Sequence, residues 1–332
     1  MASLVDKGAD KVAADTHAVG MRGLPFALVL VGLAVVIFAA FRWLGNSYAF
    51  FMAYVVLQYI VLGTAWNILG GYTGYVNFGV TAFFAIGAYS TVVLHKLVPA
   101  MPLPAMILIG GMLAGLVGLG TGYLTLRLRG VFFSIATLAL AVVVQTLITN
   151  WDFVGGARGA YVLRPRVAPL IGGEYVQYLF LLMLGLCVVV LATARAIERS
   201  ALGYGFAAIR DDEGAAEASG VPTLRLKLVA TGLSGGFMGM AGAPLPYYVT
   251  YLDPASGFSL NYAVNAIAMP LIGGTSSWLG PVIGAVLVGG LQEYLRVTIS
   301  SAVNVLVAGV LMVAFVILAP QGIVGLFKRK RK

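Results

Sequence analysis

The sequence predicts an all-α integral membrane protein of about ten transmembrane helices, some of them short or discontinuous. Three observations predict it. Of 332 residues, 60% are hydrophobic and only 10% are charged, whereas a water-soluble chain carries roughly 25% charged residues. Apolar runs near the 20 or so residues needed to cross a bilayer recur along the whole chain. The basic residues sit between these runs, where they orient a membrane protein, so a net charge of +9 does not indicate nucleic acid.

Each element follows in order. Residues 1–23 are polar and mixed in charge and form an N-terminal segment outside the membrane. The first apolar run, Leu24–Trp43, exceeds the 7–15 residues of a secretory signal and is expected to be a retained helix. Tyr48–Leu69, Val80–Val98, Ala105–Leu126, Val131–Ile148, Tyr175–Thr193, Leu228–Val249 and Ala302–Leu318 follow as further spans. Tyr262–Ile272 and Pro281–Leu295 are shorter and broken by Gly and Pro. Together these place the membrane domain at residues 24–320, with a basic tail at 321–332.

If the N-terminus is cytoplasmic and all ten segments cross, 15 Lys and Arg fall on the cytoplasmic side and 6 outside. That bias is what the positive-inside rule requires, and the reversed topology inverts it. Both termini are therefore expected in the cytoplasm, with residues 150–174 outside and 194–227 inside. Within the inner loop, ALGYGFAAIRDDEGAAEASG combines apolar Leu202, Phe206 and Ile209 with four acids. That pattern predicts one or two short amphipathic helices outside the lipid.

Several functional classes are excluded or weakened. The single Cys187 cannot form a disulfide within the chain. No G-x-x-x-x-G-K-[ST] occurs, so the chain has no phosphate-binding loop of its own. Only His17 and His95 are present and no H-E-x-x-H, and neither a metal nor a cofactor is expected. Gly232-Leu-Ser234-Gly-Gly236 matches G-x-S-x-G, but a nucleophile elbow needs a strand-to-helix turn with His and acid partners; this one lies in an apolar helical run. The spacings Gly111/Gly115, Gly118/Gly122, Gly235/Gly239 and Gly280/Gly284 suit close helix packing in lipid. No Asp or Glu occurs between Asp15 and Asp152, which weighs against a proton-driven carrier, because such relays need an intramembrane carboxylate. Sodium coupling through backbone carbonyls remains open.

Two breaks carry more information. Asn67-Ile-Leu-Gly-Gly-Tyr-Thr-Gly-Tyr-Val-Asn77-Phe-Gly79 places four glycines and two amides within 13 residues. Leu271-Ile-Gly-Gly-Thr-Ser-Ser-Trp-Leu-Gly-Pro281 repeats the interruption later in the chain. Paired Gly/Pro breaks in two halves point to discontinuous helices around a translocation site. Asn67, Gly71, Gly74, Asn77, Gly79, Gly273 and Gly274 are the expected path residues. Arg210, Asp211, Asp212, Glu213, Glu217 and Gly220 are the expected partner-contact residues of the inner loop, where four acids beside an arginine can make charged contacts.

In this order the residues resemble the permeases of branched-chain amino acid ABC importers, over Tyr48 to Leu326. The likeness runs through Asn67–Gly79, Phe83, Phe84, Gly87, Ala88 and Tyr89, then Arg127-Leu-Arg-Gly-Val-Phe-Phe-Ser-Ile-Ala-Thr-Leu-Ala139. It continues with Asn150, Gly155-Gly156-x-x-Gly159, the segment Ala208-Ile-Arg210 through Ala216, Gly220 and Lys227, then Gly273-Gly274, Gly280-Pro281 and Pro320-Gln-Gly322. The Arg-Leu-Arg-Gly block resembles the LivM-type subunit. Asn77, Val80 and Tyr204 stand where Ser, His and Arg are expected. The resemblance implies a type II-like importer permease in a bacterial inner membrane, paired with a LivH-type subunit. It also implies two cytoplasmic ATPase subunits, as the partner of those inner-loop residues, and a periplasmic substrate-binding protein, with 194–227 as the coupling loop. Competing readings are a same-family importer of urea, short amides or other amino acids, an ion-coupled carrier, and a membrane-embedded enzyme.

Overall fold

A computed structural model describes residues 25–43, 46–125, 130–165, 173–298, 309–310, 313 and 322–329. The N-terminal segment 1–23, the expected span Ala302–Leu318 (save three positions), Arg127 and Arg129, and Lys330–Lys332 lie outside the described residues.

Among the described residues, seven helices are long and apolar enough to cross a membrane. In chain order α1 is Pro25–Trp43, α2 Ser47–Thr73, α3 Val80–Leu97, α4 Leu103–Thr125, α5 Val131–Thr149 and α6 Tyr175–Glu198. The short pair α7 (Ala201–Asp211) and α8 (Glu213–Ala218) follows, and then α9 (Thr223–Gly242). Helix α9 continues through Pro244 into α10 (Leu245–Val249), and the two together complete the seventh long apolar span. Beyond it lie α11 (Pro254–Gly257), α12 (Leu260–Gly273), α13 (Leu279–Gly284), a π-helical turn at Ala285–Gly289, α14 (Gly290–Thr298) and α15 (Gly322–Arg329). One feature departs from an all-helical reading: strands β1 (Ala160–Tyr161) and β2 (Tyr251–Leu252) pair antiparallel, with Ala160 opposite Leu252. The strands tie the 150–165 loop to the turn after α10.

Helix α2 is the axle of the bundle. It starts where the Asn46 side chain accepts the Tyr48 N–H at 2.9 Å, relieving one of the unpaired donors at a helix start. Apolar residues around its whole circumference bury it against α6, α9 and α12. Tyr54 stacks on Tyr248 at 4.5 Å, and Phe50 meets Phe180 edge-on at 5.4 Å. Helix α1 adds Phe38 and Phe41 to that aromatic group and otherwise lies outermost.

Close packing elsewhere depends on glycine. Helix α4 runs along α9 with Gly115 and Gly118 against the backbone of Thr231, Gly232 and Gly236. A Cβ on Gly239 would fall 2.3 Å from the Ala114 Cβ and 2.9 Å from the Gly110 carbonyl oxygen. The G-x-x-x-G spacing thus acts through backbone-to-backbone approach. The G-x-S-x-G stretch lies inside helical α9, with Gly236 facing Gly111. The opposite faces of α4 and α5 expose Leu116, Leu124, Phe132, Ile135 and Val142, as expected of surfaces in hydrocarbon.

Helix boundaries differ from the periodicity reading in one consequential place. Gly70 and Gly71 are helical, and α2 ends only at Gly74, whose φ of 78° is left-handed. The break in the first half is therefore residues 74–79, shorter than the 13-residue interruption in the sequence. Packing on the neighbouring chain break overrides the low helix propensity of the glycine pair. In the 194–227 loop, α6 extends to Glu198 and α9 begins at Thr223, leaving a compact two-helix hairpin.

Candidate functional site at one end of the bundle

Residues 74–79, α7, α8, the first turn of α9 and the first turns of α5 converge at one end of the bundle. The residues of the break are held by α2, α5 and α7 and by a bond within the break itself. Gly74 lies against α7: a Cβ there would meet the Arg210 Cγ at 3.2 Å and its Cα at 3.6 Å. The Val76 carbonyl accepts the Ser134 hydroxyl of α5 at 2.8 Å. The Asn77 carbonyl accepts the Trp66 indole N–H at 2.9 Å, and the Asn77 Oδ1 accepts the Gly79 N–H at 2.7 Å. The Phe78 N–H donates to the Thr137 hydroxyl at 3.1 Å.

Tyr75 is the most heavily engaged. Its hydroxyl donates to the Glu213 Oε2 and accepts from the Lys227 Nζ at 3.2 Å. Lys227 Nζ pairs with the Glu213 Oε1 at 2.6 Å, and the Tyr75 ring stands edge-on to Phe133 of α5 at 5.2 Å. The Lys227 side chain is 4% exposed and that of Glu213 13%. A buried ammonium in the first turns of a helix faces the positive end of the macrodipole as well as desolvation. The carboxylate and the phenol oxygen compensate both. Removing one partner of such a buried pair costs about 3–5 kcal/mol, because the other charge is left uncompensated.

The two chain breaks meet. A Cβ on Gly71 would fall 1.9 Å from the Asn67 Oδ1 and 2.9 Å from the Thr275 carbonyl oxygen, so this face of α2 lies directly on the turn between α12 and α13. That turn is glycine-on-glycine: a Cβ on Gly273 would meet the Gly280 carbonyl oxygen at 1.7 Å, and Gly274 has φ of 118°. The Trp278 N–H donates to the Glu198 Oε2 at 3.1 Å, joining the turn to the end of α6. Of the seven expected path residues only Gly74 is exposed, while Asn67 and Asn77 are each 1% exposed. Both asparagines therefore shape the interior of the chain. Asn77 holds its own turn together, and the Asn67 amide is buried without a hydrogen-bond partner among the described residues. Gly74, buried Tyr75 and Val76 border a cleft of about 270 Å³ completed by Gly130, Val131 and Ser134.

The acids of the hairpin divide. Glu213 turns inward to Lys227 and Tyr75. The Asp212 carboxylate caps α8 by accepting the Ala215 N–H at 3.0 Å. Glu217 accepts the Thr223 hydroxyl at 2.7 Å. Asp211, at 74% side-chain exposure, pairs with its neighbour Arg210, and Asp212 and Glu217 are exposed as well. Three of the four are thus engaged in holding the hairpin's shape. Gly220, with φ of 84°, turns the chain from α8 into α9. Beside it lies a shallow, largely apolar groove of about 510 Å³, whose lining includes Leu202, Tyr204, Ala208, Val221, Pro222 and Leu226.

Sequence reading missed two groups. Tyr75 looked like one more residue of a glycine-rich break, although a lysine at the mouth of an apolar run signals that some partner must bury it. The interior chain Gln292–Asn265–Tyr59, with bonds of 3.0 and 3.3 Å, and the buried Glu293 had no sequence signal. Their residues come from three separate helices.

Comparison with known proteins follows the same lines. The sequence model of a family described as "branched-chain amino acid transport system / permease component" matches residues 48–316. The chain is 28% identical over 305 residues to the high-affinity branched-chain amino acid transport system permease protein LivM of Escherichia coli, covering 85% of this chain and 71% of LivM. It is 25% identical to a probable branched-chain amino acid transport permease protein LivH of Methanocaldococcus jannaschii, over 77% of this chain and 85% of that protein. An L-arabinose ABC transporter permease protein, AraH of Azospirillum brasilense, is 27% identical over 63% of this chain and 62% of its own length. No solved structure matches.

Proposed function

The chain belongs to the branched-chain amino acid permease family of ABC transporters, and from that premise we propose that it forms half of the translocation path of an ATP-driven importer of branched-chain amino acids. A LivH-like second permease subunit supplies the other half. Two cytoplasmic ATPase subunits drive it, and a periplasmic binding protein delivers the solute. In this reading the chain sits in a bacterial inner membrane with both termini cytoplasmic, which makes the end carrying α7 and α8 the cytoplasmic one.

The observation that carries the proposal is the convergence of the α7–α8 hairpin on the chain break at 74–79. A partner that pushes on the hairpin pushes on the break. The docking surface is the apolar groove beside Tyr204 and Pro222 together with Asp211 and Arg210, because the other acids are already engaged. An apolar groove with charge at its margin has the composition of a protein interface. The chain itself moves no phosphoryl group; it positions and transmits.

The test is reconstitution in liposomes with the permease, ATPase and binding-protein products of neighbouring genes. Uptake of labelled L-leucine, L-isoleucine and L-valine is compared with urea and L-arabinose. Saturable, ATP-dependent uptake of the three branched amino acids is the expected result. ATP-dependent uptake of urea or arabinose with none of the amino acids would replace the substrate, and uptake that ignores ATP would remove the ABC reading.

A further inference from the structure

We propose that Tyr75, Glu213 and Lys227 are positioning residues that form a transmission clamp, through which motion of the α7–α8 hairpin reaches α2, α3 and α5. This rests on the function proposed above and goes further, because it assigns the step between an ATPase stroke and the path to three side chains.

The geometry allows little independent motion. Glu213 is the first residue of α8 and Lys227 lies on α9, so their 2.6 Å contact fastens the hairpin to the helix that follows it. Both also hold the Tyr75 hydroxyl, and Tyr75 is two residues beyond the end of α2, just after its Gly74 cap. The other face of Tyr75 carries Phe133, on the first turn of α5. The next residues of the break are bonded to α5 at Ser134 and Thr137, while Gly79 begins α3. A displacement of α8 must therefore either carry the break and the first turns of α5 with it or break a desolvated ion pair. Helix α5 is the element on which the break is held, and few of its residues are fully buried in the chain. Buried pairs of this kind resist separation, since pulling them apart leaves each desolvated charge without its opposite. Coupling between sites is carried by hydrogen-bond and salt-bridge networks that join packed elements, and this cluster joins the hairpin to α9 and to the break.

The experiment uses the whole importer in liposomes. Leucine taken up per ATP hydrolysed is measured for the parent, Tyr75→Phe, Glu213→Gln, Lys227→Met, and the exchanged pair Glu213→Lys with Lys227→Glu. In parallel, amide hydrogen exchange at residues 75–79 is compared with and without nucleotide trapping. The expected result is that Glu213→Gln and Lys227→Met copurify with the ATPases and hydrolyse ATP, while uptake per ATP falls about tenfold. Tyr75→Phe, which keeps the ring and is the variant safest for folding, falls less. The exchanged pair recovers part of the ratio. In the parent, trapping changes protection at 75–79, and Glu213→Gln abolishes that change. Uptake and hydrolysis falling in the same proportion would overturn the clamp, as would equal responses of 75–79 to trapping in the parent and Glu213→Gln. If the parent moves no leucine yet its break responds to trapping and the Glu213→Gln break does not, the clamp stands and the assigned solute falls.

Discussion

Replacing Gly87 by alanine tests one of the tight backbone-to-backbone helix approaches among the described residues. Its Cβ would lie 1.8 Å from the Gly239 carbonyl oxygen and 2.6 Å from the Gly239 carbonyl carbon. Both are backbone atoms, so no side-chain rotation relieves the clash. Carbon and oxygen settle at about 3.3 Å, which requires α3 and α9 to separate locally by roughly 1.5 Å. A gap of about 1 Å already forfeits up to half of each dispersion contact along the seam. Overpacking in a dense interior costs about 1–3 kcal/mol, and the backbone clash puts Gly87→Ala at the top of that range, about 3 kcal/mol. Gly236→Ala is the control on the same helix system. Its Cβ would meet the Gly111 carbonyl oxygen at 3.4 Å and the Gly115 Cα at 3.8 Å, which is ordinary contact, so a change within about 0.5 kcal/mol is expected. Reversible unfolding in mixed micelles of increasing SDS fraction gives both values. Equal stability of the two variants would refute the close approach of α3 to α9, and with it the reading of the glycine seam.

Three further outcomes follow. Gly71→Val drives a branched side chain at the Thr275 carbonyl, 2.9 Å from the Cβ position; membrane abundance and uptake should fall together, and normal uptake would remove the contact between the two breaks. In a Cys187→Ser background, a cysteine at position 330 should resist an impermeant thiol reagent in intact cells and react after lysis; labelling in intact cells would reject the cytoplasmic C-terminus. The Asp253 carboxyl, held below the ordinary carboxylate range by the Ser256 hydroxyl, should stabilise the α11 turn at neutral pH. Because its folded value is lowered, that contribution is complete above the ordinary carboxylate pKa of about 4 and is lost as pH falls through the lowered value. Amide exchange at Ser256 and Gly257, corrected for intrinsic rate, should quicken only in that acid window and should do so at neutral pH in Asp253→Asn.

Hydropathy made the long helices legible, because a bilayer imposes a minimum apolar length that is a property of local sequence alone. Helices α2 to α6 and the α9–α10 span lie within a few residues of the apolar runs. The amphipathic hairpin was likewise visible in the spacing of Leu202, Phe206 and Ile209. The glycine pairs announced close packing but not which partner each would meet: Gly87 and Gly236 look alike in sequence, yet one faces a carbonyl at 1.8 Å and the other at 3.4 Å. The same limit governed the site. Sequence marked two breaks and four acids as separate features. Tertiary structure decided that Gly71 rests on the second break, that the α7–α8 hairpin lies on the first, and that Glu213 meets Lys227 and Tyr75. The physical reason is that a charge can be read from its residue, whereas its pairing depends on which groups the fold desolvates together. Here those groups are 138 positions apart between Tyr75 and Glu213 and 152 between Tyr75 and Lys227.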